Sequence, residues 1–326
     1  MTAMTYRELG RSGLKIAPLV LGGNVFGWTA DEKTSHAILD ACVDAGINMV
    51  DTADAYSRWA PGHQGGESET VIGNWLHKSG RRSKVLIATK VGHEMGPGRK
   101  GLSRARILEA VDESLRRLRT DVIDLYQAHI DDSATPLEET LGTFNDLVRA
   151  GKVRAIGCSN YGPERLGAAL EVSRRHGYAR YESLQPWYNL YDRANFEGPL
   201  AELCRREDVG VISYFGLASG FLTGKYRTEA DLEGRPRGLR IRAMMNPRGM
   251  RILAALDTVA ARYRATPAQV ALAWVVAHGV TAPIASATTL AQLAEIAGSM
   301  QLALDADAVR TLDAASVGSE FRPPPE

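Results

Sequence analysis

Four side chains of different proton affinity stand in positions that could place them in one cleft. Asp51, Lys90 and His129 each close an apolar stretch of the chain, and Tyr56 follows shortly after Asp51. A carboxylate, an ammonium, an imidazole and a phenol held together suit acid–base chemistry at a carbonyl group. A phenol has an ordinary pKa of about 10, and a neighbouring ammonium lowers that value by favouring the phenolate. We therefore expect Tyr56 to donate a proton with a lowered pKa, and His129 to orient the substrate oxygen or relay the proton.

Each of these residues also has a plain structural interpretation when it is taken alone. Asp51 could cap a helix or a turn, Lys90 could form a salt bridge at a rim, and His129 could be a hydrogen-bonded interior residue. Their joint position favours catalysis, because the carboxyl ends of parallel barrel strands meet at the rim where (β/α)8 enzymes keep their catalytic residues.

Strand-like and helix-like segments alternate along the whole chain. Apolar runs typical of buried strands lie at 16–23, 48–52, 85–90, 122–129, 153–158, 184–189, 210–214 and 281–286. Each is followed by a segment with helical spacing. The alternation predicts a single (β/α)8 TIM barrel domain over residues 1–326, opening with a hairpin at 6–15. A doubly wound open sheet is the alternative, but the first predicted strand lacks the Gly-x-Gly-x-x-Gly turn of that fold.

A long connection, residues 218–247, separates the seventh predicted strand from the helix predicted at 251–263. It is rich in Gly and Arg, and its basic residues outnumber its acidic ones. Loops of this length in compact domains are usually functional or disordered. Two interpretations stay open: a mobile, solvated excursion, or a basic flap that closes on a phosphate-bearing ligand.

The composition indicates an ordinary globular protein with neither nucleic acid nor a membrane as partner. Of the 326 residues, 44% are hydrophobic and 24% charged, and the net charge is only +1, which gives no electrostatic reason to bind polyanions. No apolar run is long enough to span a bilayer, and the first residues lack the core of a signal peptide. Three scattered cysteines argue against a disulfide framework or a zinc site. We therefore expect a cytoplasmic protein without a metal centre.

Several motifs, taken together, resemble one known family. They are DTADAY at 51–56, GESE at 66–69, IATK at 87–90, DLYQAH at 124–129 and GCSN at 157–160. In this order they resemble the aldo-keto reductase superfamily, and within it the potassium-channel β-subunit-like branch, over nearly the whole chain. The resemblance implies a tetrad of Asp51, Tyr56, Lys90 and His129 with Tyr56 as general acid. It also implies a small-molecule aldehyde or ketone substrate, and hydride delivery from a nicotinamide coenzyme lying across the barrel rim.

The same resemblance implies which residues hold the coenzyme. Ser159, Asn160 and Gln185 would bind the nicotinamide carboxamide, and Tyr214 would stack on the nicotinamide ring. The remaining contacts implied are Gly216, Leu217, Ser219, Gly220 and Lys225 at the pyrophosphate, Ser286, Thr288, Gln292 and Glu295 at the adenosine half, and Gly23, Asn24 and Asp51 elsewhere.

The chain departs from the family pattern after the eighth predicted strand. Residues 285–288 read Ala-Ser-Ala-Thr where the family has Pro-Gly-Ala-Arg, and Ile296 stands where it often has Asn. The missing arginine would clamp the 2′-phosphate of NADPH, whereas hydroxyls offer no charge. We expect NADP(H) as the coenzyme, with Arg248, Lys225 or another residue of the 218–247 connection replacing the clamp, and NAD(H) as the alternative.

Four aromatic side chains are expected to wall the substrate cleft. They are Phe26, Trp28, Trp59 and Trp187, and an insertion at 57–65 lengthens one wall. An aromatic cleft with no fixed cation besides the tetrad indicates neutral aldehydes or ketones. The alternative is that these rings only pack the top of the barrel.

Three functions of different classes compete. The first is NADPH-dependent reduction of an aldehyde or ketone. The second is a coenzyme-binding regulatory protein of the same fold with slow turnover, as in relatives associated with ion channels. The third is a lyase that forms a Schiff base on Lys90, which would leave the nicotinamide-binding residues without a role. An oligomer is compatible with all three.

Overall fold

Eight parallel strands close into a barrel in the computed structural model, which describes residues 5–234 and 237–320. A short antiparallel hairpin precedes them, formed by β1 (Arg7–Glu8) and β2 (Lys15–Ile16). The barrel strands are β3 (Val20–Gly22), β4 (Met49–Asp51), β5 (Leu86–Val91), β6 (Ile123–Ala128), β7 (Val153–Ser159), β8 (Tyr181–Gln185), β9 (Gly210–Ser213) and β10 (Ala282–Ala285). Each strand pairs with its neighbour in chain order and β10 closes on β3. The predicted (β/α)8 TIM barrel is therefore confirmed.

Helices surround the barrel. They are α1 (Glu32–Asp44), α2 (Glu67–Ser79), α3 (Arg104–Leu118), α4 (Leu137–Arg149), α5 (Pro163–His176), α6 (Pro199–Glu207), α7 (Gly238–Arg242), α8 (Pro247–Tyr263), α9 (Pro267–Ala277), α10 (Leu290–Ala297) and α11 (Ala306–Ser316). Ser103 accepts a hydrogen bond from the backbone of Arg106 and so caps α3. Within the described residues, none of these helices is both long and apolar enough to cross a membrane.

The interior of the barrel is closed at its N-terminal end. Inward-facing side chains such as Met49, Leu125 and Ile212 form a small core of their own, and Leu9 and Leu14 of the hairpin region pack into it. A separate, larger core lies between the strands and the helices. Because the hairpin plugs the bottom, a ligand can approach only the opposite, C-terminal rim.

Four details differ from the sequence-based expectations. The sixth barrel strand is Tyr181–Gln185 rather than 184–189, because Pro186 has no N–H with which to continue the ladder. Helix α8 begins at Pro247, where Asn246 caps it, and not at 251. The long connection contains α7 and two short 3-10 segments, Ala218–Thr223 and Glu229–Leu232, and α11 at the end of the chain was not foreseen.

Candidate active site

The ammonium of Lys90 lies at the centre of the rim and organises its neighbours. Its Nζ donates to Asp51 Oδ2 at 2.7 Å, to the Tyr56 hydroxyl at 2.8 Å and to the carbonyl of Thr52 at 2.8 Å. These contacts use all three N–H donors that an ammonium has. The side chains of Lys90 and Asp51 are buried, so the ion pair is shielded from solvent and holds a fixed geometry.

The carboxylate of Asp51 is the common acceptor. Its Oδ2 also accepts from the Tyr56 hydroxyl at 3.2 Å, and its Oδ1 accepts from Gln185 Nε2 at 2.8 Å. Gln127, on β6, lies at 3.5 Å from the same Oδ1. The sequence did not single out Gln127, although its place two residues before His129 and opposite Lys90 in the ladder could have indicated it.

The proton affinity of Tyr56 differs from the expectation. Burial and the nearby Asp51 carboxylate raise the pKa of Tyr56 well above its usual value, so the prediction of a lowered pKa is wrong. Burial lowers the pKa of Lys90, and Asp51 opposes that change. The expectation counted the ammonium but not the hydrogen bond from the phenol to Asp51, which is lost when the phenol ionises. Tyr56 is therefore held in its protonated form, which is the form a general acid needs.

Two imidazoles complete this end of the site. His129 follows β6, and its ring centroid lies 5.9 Å from that of Tyr56. The ring of His93, from the loop after β5, packs against it at 4.1 Å. Burial, His93 and Lys90 lower the pKa of His129 well below its usual value, so His129 is neutral at pH 7. His93 was missed in the sequence, and its only signal there is an imidazole just beyond the strand that ends in Lys90.

The residues expected at the nicotinamide form a connected chain on the adjacent strands. Tyr214 donates through its hydroxyl to Asn160 Oδ1 at 2.8 Å, and Asn160 Nδ2 donates to the carbonyl of His129 at 3.0 Å. Ser159 Oγ donates to the carbonyl of Gln185 at 2.7 Å. Asn160 has a φ of 61°, a left-handed conformation that Asn tolerates better than most residues. The chain fixes the plane of the Tyr214 ring beside the tetrad.

The residues expected at the pyrophosphate follow β9. Gly216 and Leu217 lead into the segment Ala218–Thr223, where Ser219 and Gly220 have φ values of 59° and 100°. Turns of this kind can present successive backbone N–H groups to an anion, although the N–H of Gly220 is already donated to the carbonyl of Leu217. Lys225 lies beside this turn, because a Cβ on Gly220 would stand 4.0 Å from its Nζ.

The residues expected at the adenosine half lie after β10 and next to β3. Ser286 Oγ donates to Asn24 Oδ1, and Thr288 donates to Gln292 Oε1 from both its N–H and its hydroxyl. The backbone of Gly23 donates to the carbonyl of Asp51 at 2.7 Å, which ties this side to the tetrad. Glu295 lies in α10, one turn beyond Gln292.

Arg248 is not part of the long connection. It is the second residue of α8, and its guanidinium donates to the carbonyls of Tyr191, Ser316 and Val317. These contacts tie α8 to the end of α11. The expectation that Arg248 lies on a flap is therefore corrected, because α8 starts four residues earlier than the sequence suggested.

Two other arginines of the connection lie closer to the expected coenzyme site. Arg240 of α7 lies over the ring of Phe215, with 5.1 Å from its guanidinium carbon to the ring centroid, and Phe215 follows Tyr214. Burial and then the charge of Arg240 lower the pKa of the neighbouring Arg237. Within residues 5–234 and 237–320, no carboxylate forms an ion pair with either one. Two adjacent guanidinium groups with no carboxylate partner among the described residues could bind an anionic ligand.

The expected aromatic wall is only partly at the cleft. Phe26 is fully buried in the layer between strands and helices, so its backbone reaches the rim but its ring packs in the core. Trp59, half-exposed at 51%, lies 5.9 Å from the Tyr56 ring and 5.5 Å from Trp28. Trp187 packs on Phe215 and near Tyr214 instead. The structure therefore places the ring of Trp59 beside Tyr56 and that of Trp28 beside Trp59, and the aromatic wall as a whole stays a prediction.

These features fit a nicotinamide dinucleotide. An anchored aromatic ring at Tyr214 stands next to the tetrad, and a left-handed turn with Lys225 follows it. Arg237 and Arg240, which form no ion pair among the described residues, lie alongside. One flat ring and negatively charged phosphates are what this set of groups can accept.

Comparison with known proteins agrees with this arrangement. The model of the aldo/keto reductase family matches residues 18–317. The chain is 34% identical to Protein tas of Escherichia coli (strain K12), over 95% of this chain and 97% of that one. It is 35% identical to the uncharacterized oxidoreductase YrpG of Bacillus subtilis (strain 168), over 95% of each. A probable voltage-gated potassium channel subunit beta of Arabidopsis thaliana is 33% identical over 90% of each chain. The chain therefore belongs to the aldo/keto reductase family, and its membership supports an oxidoreductase function with a nicotinamide coenzyme.

Proposed function

We propose that this protein reduces an aldehyde or ketone to the alcohol with NADPH, using Tyr56 as the general acid. The observation that carries the proposal is the buried ammonium of Lys90, which contacts both Asp51 and the Tyr56 hydroxyl. A protonated phenol with a cation against its oxygen can give up a proton and remain stabilised as the phenolate.

The protein groups divide the work around the carbonyl oxygen. When bound, the coenzyme supplies the hydride. Tyr56 donates a hydrogen bond to the substrate oxygen and then its proton, as negative charge develops on that oxygen. Lys90 stabilises the phenolate left behind, and Asp51 holds Lys90 charged and in place. The phenol lies 3.2 Å from Asp51 in this structure, so we expect its hydroxyl to turn from the carboxylate to the substrate oxygen.

His129 is proposed to contact the same substrate oxygen. Its neutral imidazole carries one N–H, which can donate to the carbonyl without adding a full charge. Its ring faces that of Tyr56 at 5.9 Å between centroids. A neutral donor opposite an acidic phenol would hold the carbonyl between them, which is the positioning that hydride transfer needs.

The preference for NADPH is proposed to rest on α7 rather than on α8. Arg248 already binds three carbonyl oxygens. Arg240, in contrast, lies over the ring of Phe215 and close enough to Tyr214 to oppose the rise that burial causes in the pKa of Tyr214, and Arg237 lies near Arg240. A guanidinium pair can bind a phosphate bidentately, which compensates for the arginine absent after β10. Lys225 would then serve the pyrophosphate.

The substrate is proposed to be an aromatic or otherwise apolar carbonyl compound. Trp59 packs edge-to-face on Tyr56, and Trp28 packs edge-to-face on Trp59. The exposed part of Trp59 can stack on an arriving aryl group. A substrate that stacks on the exposed indole of Trp59 needs no charged group of its own.

A regulatory role with slow turnover is the second candidate, and the similarity to a probable channel β subunit favours it. The two functions differ in rate and not in coenzyme binding. The third candidate, a Schiff-base lyase, meets the objection that Lys90 is buried with its donors occupied. Borohydride trapping of a substrate on Lys90 would favour it.

Titration with coenzyme, followed by turnover, tests the proposal. The quenching of tryptophan fluorescence is measured with NADPH and separately with NADH, and oxidation of NADPH is then followed with 4-nitrobenzaldehyde. We expect saturable binding that is tighter for NADPH, with multiple turnovers. Tight binding without turnover across a panel of carbonyls would favour the regulatory protein. No binding of either coenzyme would refute both.

A further inference from the structure

A second imidazole lies against His129 and has no role in the scheme above. The ring centroid of His93 lies 4.1 Å from that of His129, and the two ring planes meet at 85°. This is an edge-to-face contact of the kind that fixes the relative orientation of two flat rings. His93 itself is partly buried in the loop that follows β5.

The ring of His129 lacks the usual support for a working imidazole. Such a ring is normally oriented by a hydrogen bond to its second nitrogen, and that bond also selects the tautomer. Among the residues that the structure describes, Nδ1 of His129 is buried and has no hydrogen-bond partner. With no acceptor there, the proton is better placed on Nε2. Ring packing must then provide the orientation that a hydrogen bond provides elsewhere.

We propose that His93 is a positioning residue whose edge-to-face contact holds the His129 ring with Nε2–H directed at the substrate oxygen. The proposal rests on the proposed reductase function for its effect on rate. The ring contact and the tautomer it supports are properties of the free protein. They can therefore be examined even if the assigned reaction is wrong.

The charges around His93 make the contact depend on pH. Lys90 on β5, Arg58 on the 57–65 insertion and His129 face it, and Glu94 on its own loop lies 3.8 Å from Arg58. Burial, Lys90 and Arg58 lower the pKa of His93, so it is neutral at pH 7. Protonation at acid pH would place a cation against His129 among two other cations. We expect the positioning to fail there.

Two substitutions separate ring packing from other effects. His93→Phe keeps a flat ring of similar size, and His93→Ala removes it. At pH 7.5 we expect His93→Ala to lower kcat by on the order of tenfold or more, with the KM for NADPH changed less than about twofold. We expect the wild-type kcat to fall at acid pH as His93 becomes protonated. His93→Phe should keep most of the rate at pH 7.5 and lose that fall. Thermal melts establish that both variants are folded.

Nitrogen-15 NMR of the His129 ring gives a readout that does not depend on activity. We expect the Nε2–H tautomer in the wild-type protein and in His93→Phe. In His93→Ala we expect a mixture of tautomers, because water in the space of the lost ring can accept a hydrogen bond from Nδ1–H. Wild-type kcat and an unchanged tautomer in His93→Ala would overturn the proposal, and so would a His93→Phe variant as slow as His93→Ala. If the wild-type protein reduces no carbonyl, the proposed function fails while the spectra still decide the role of His93.

Discussion

The ammonium of Lys90 donates to the hydroxyl of Tyr56 at 2.8 Å, although both groups also contact the same carboxylate oxygen. The phenol is therefore held between a cation and an anion. Burial and the anion raise its pKa, while the cation stands ready to stabilise the phenolate once the proton has left. This arrangement favours proton donation over proton acceptance at neutral pH.

Removing the phenol oxygen should abolish chemistry without affecting coenzyme binding. We expect Tyr56→Phe to lower kcat by about 10²–10⁴-fold, with the Kd for NADPH within about twofold of the wild-type value. Steady-state rates with 4-nitrobenzaldehyde and fluorescence titration measure the two quantities. Tyr126→Phe is the matched control, because its buried hydroxyl has no partner among the described residues and should be dispensable. A normal rate in Tyr56→Phe would show that another group donates the proton.

The raised pKa of Tyr56 predicts opposite pH dependence for the two directions of reaction. Reduction uses the protonated phenol, so its kcat/KM should stay level from about pH 7 to pH 9, below the raised pKa. Oxidation of the alcohol uses the phenolate, so its rate should rise with pH over the same range. Rates in both directions, measured across this range, provide the check. Reduction that falls between pH 7 and pH 9 would contradict the raised pKa.

Coenzyme choice should depend on Arg240. We expect Arg240→Ala to weaken NADPH binding by about 10-fold or more and NADH by much less, since only NADPH carries the 2′-phosphate. Arg227→Ala is the control on the same connection, because Arg227 pairs with Asp257 at 2.7 Å. Arg248→Ala should resemble this control in the ratio of the two affinities. Equal losses for both coenzymes in Arg240→Ala would move the phosphate contact elsewhere.

Stability should fall as the solution becomes acidic, partly because His129 is buried in its neutral form. Its pKa in the folded protein lies well below the ordinary value, so the unfolded chain binds more protons at acid pH. The free energy of unfolding then rises with pH up to about 6.5 and the penalty is absent above it. Denaturant titrations at pH 5.5, 6.5 and 8.0 should show a smaller slope for His129→Gln. His77→Gln, at an exposed position of α2, serves as the control for substitution itself, and an unchanged slope in His129→Gln would contradict the assignment.

A second buried ion pair supports the loop between β4 and Tyr56. Arg106 of α3 donates to Asp54 at 2.9 Å, and both side chains are almost fully buried. Burial and the charge of Glu69 raise the pKa of Asp54 to about 7, so at pH 8 the carboxylate is mostly ionised. Under those conditions Arg106→Met should lower the free energy of unfolding by about 3–5 kcal/mol, since it leaves a buried charge unpaired. Arg310→Met removes an exposed pair with Asp307 and should cost less than about 1 kcal/mol in the same denaturant titration.

The sequence predicted a strand correctly where a charged residue ends an apolar run. Lys90 and Asp51 mark the ends of β5 and β4, and side chains at those ends share a rim once the sheet closes. Strand β8 was predicted too late in the chain, at 184–189, because polar and apolar residues mix around Tyr181. The prediction also ran through Pro186, which cannot continue the strand's hydrogen bonds. Helix α8 was predicted late because Asn246 and Pro247, a strong cap and first residue, were assigned to the connection.

The order of elements, the barrel and the four residues gathered around the rim follow from the sequence, because local patterning and parallel closure together leave them little freedom. Tertiary structure alone decided three other matters. Asp51 as well as Lys90 contacts the Tyr56 hydroxyl, and burial together with this carboxylate raises the pKa of Tyr56. Arg248 binds backbone carbonyls outside α8, whereas Arg240 of the long connection packs on Phe215. His93 packs on His129. Each depends on distances between side chains from different elements, and charge and ring interactions weaken over a few ångströms that no local pattern encodes.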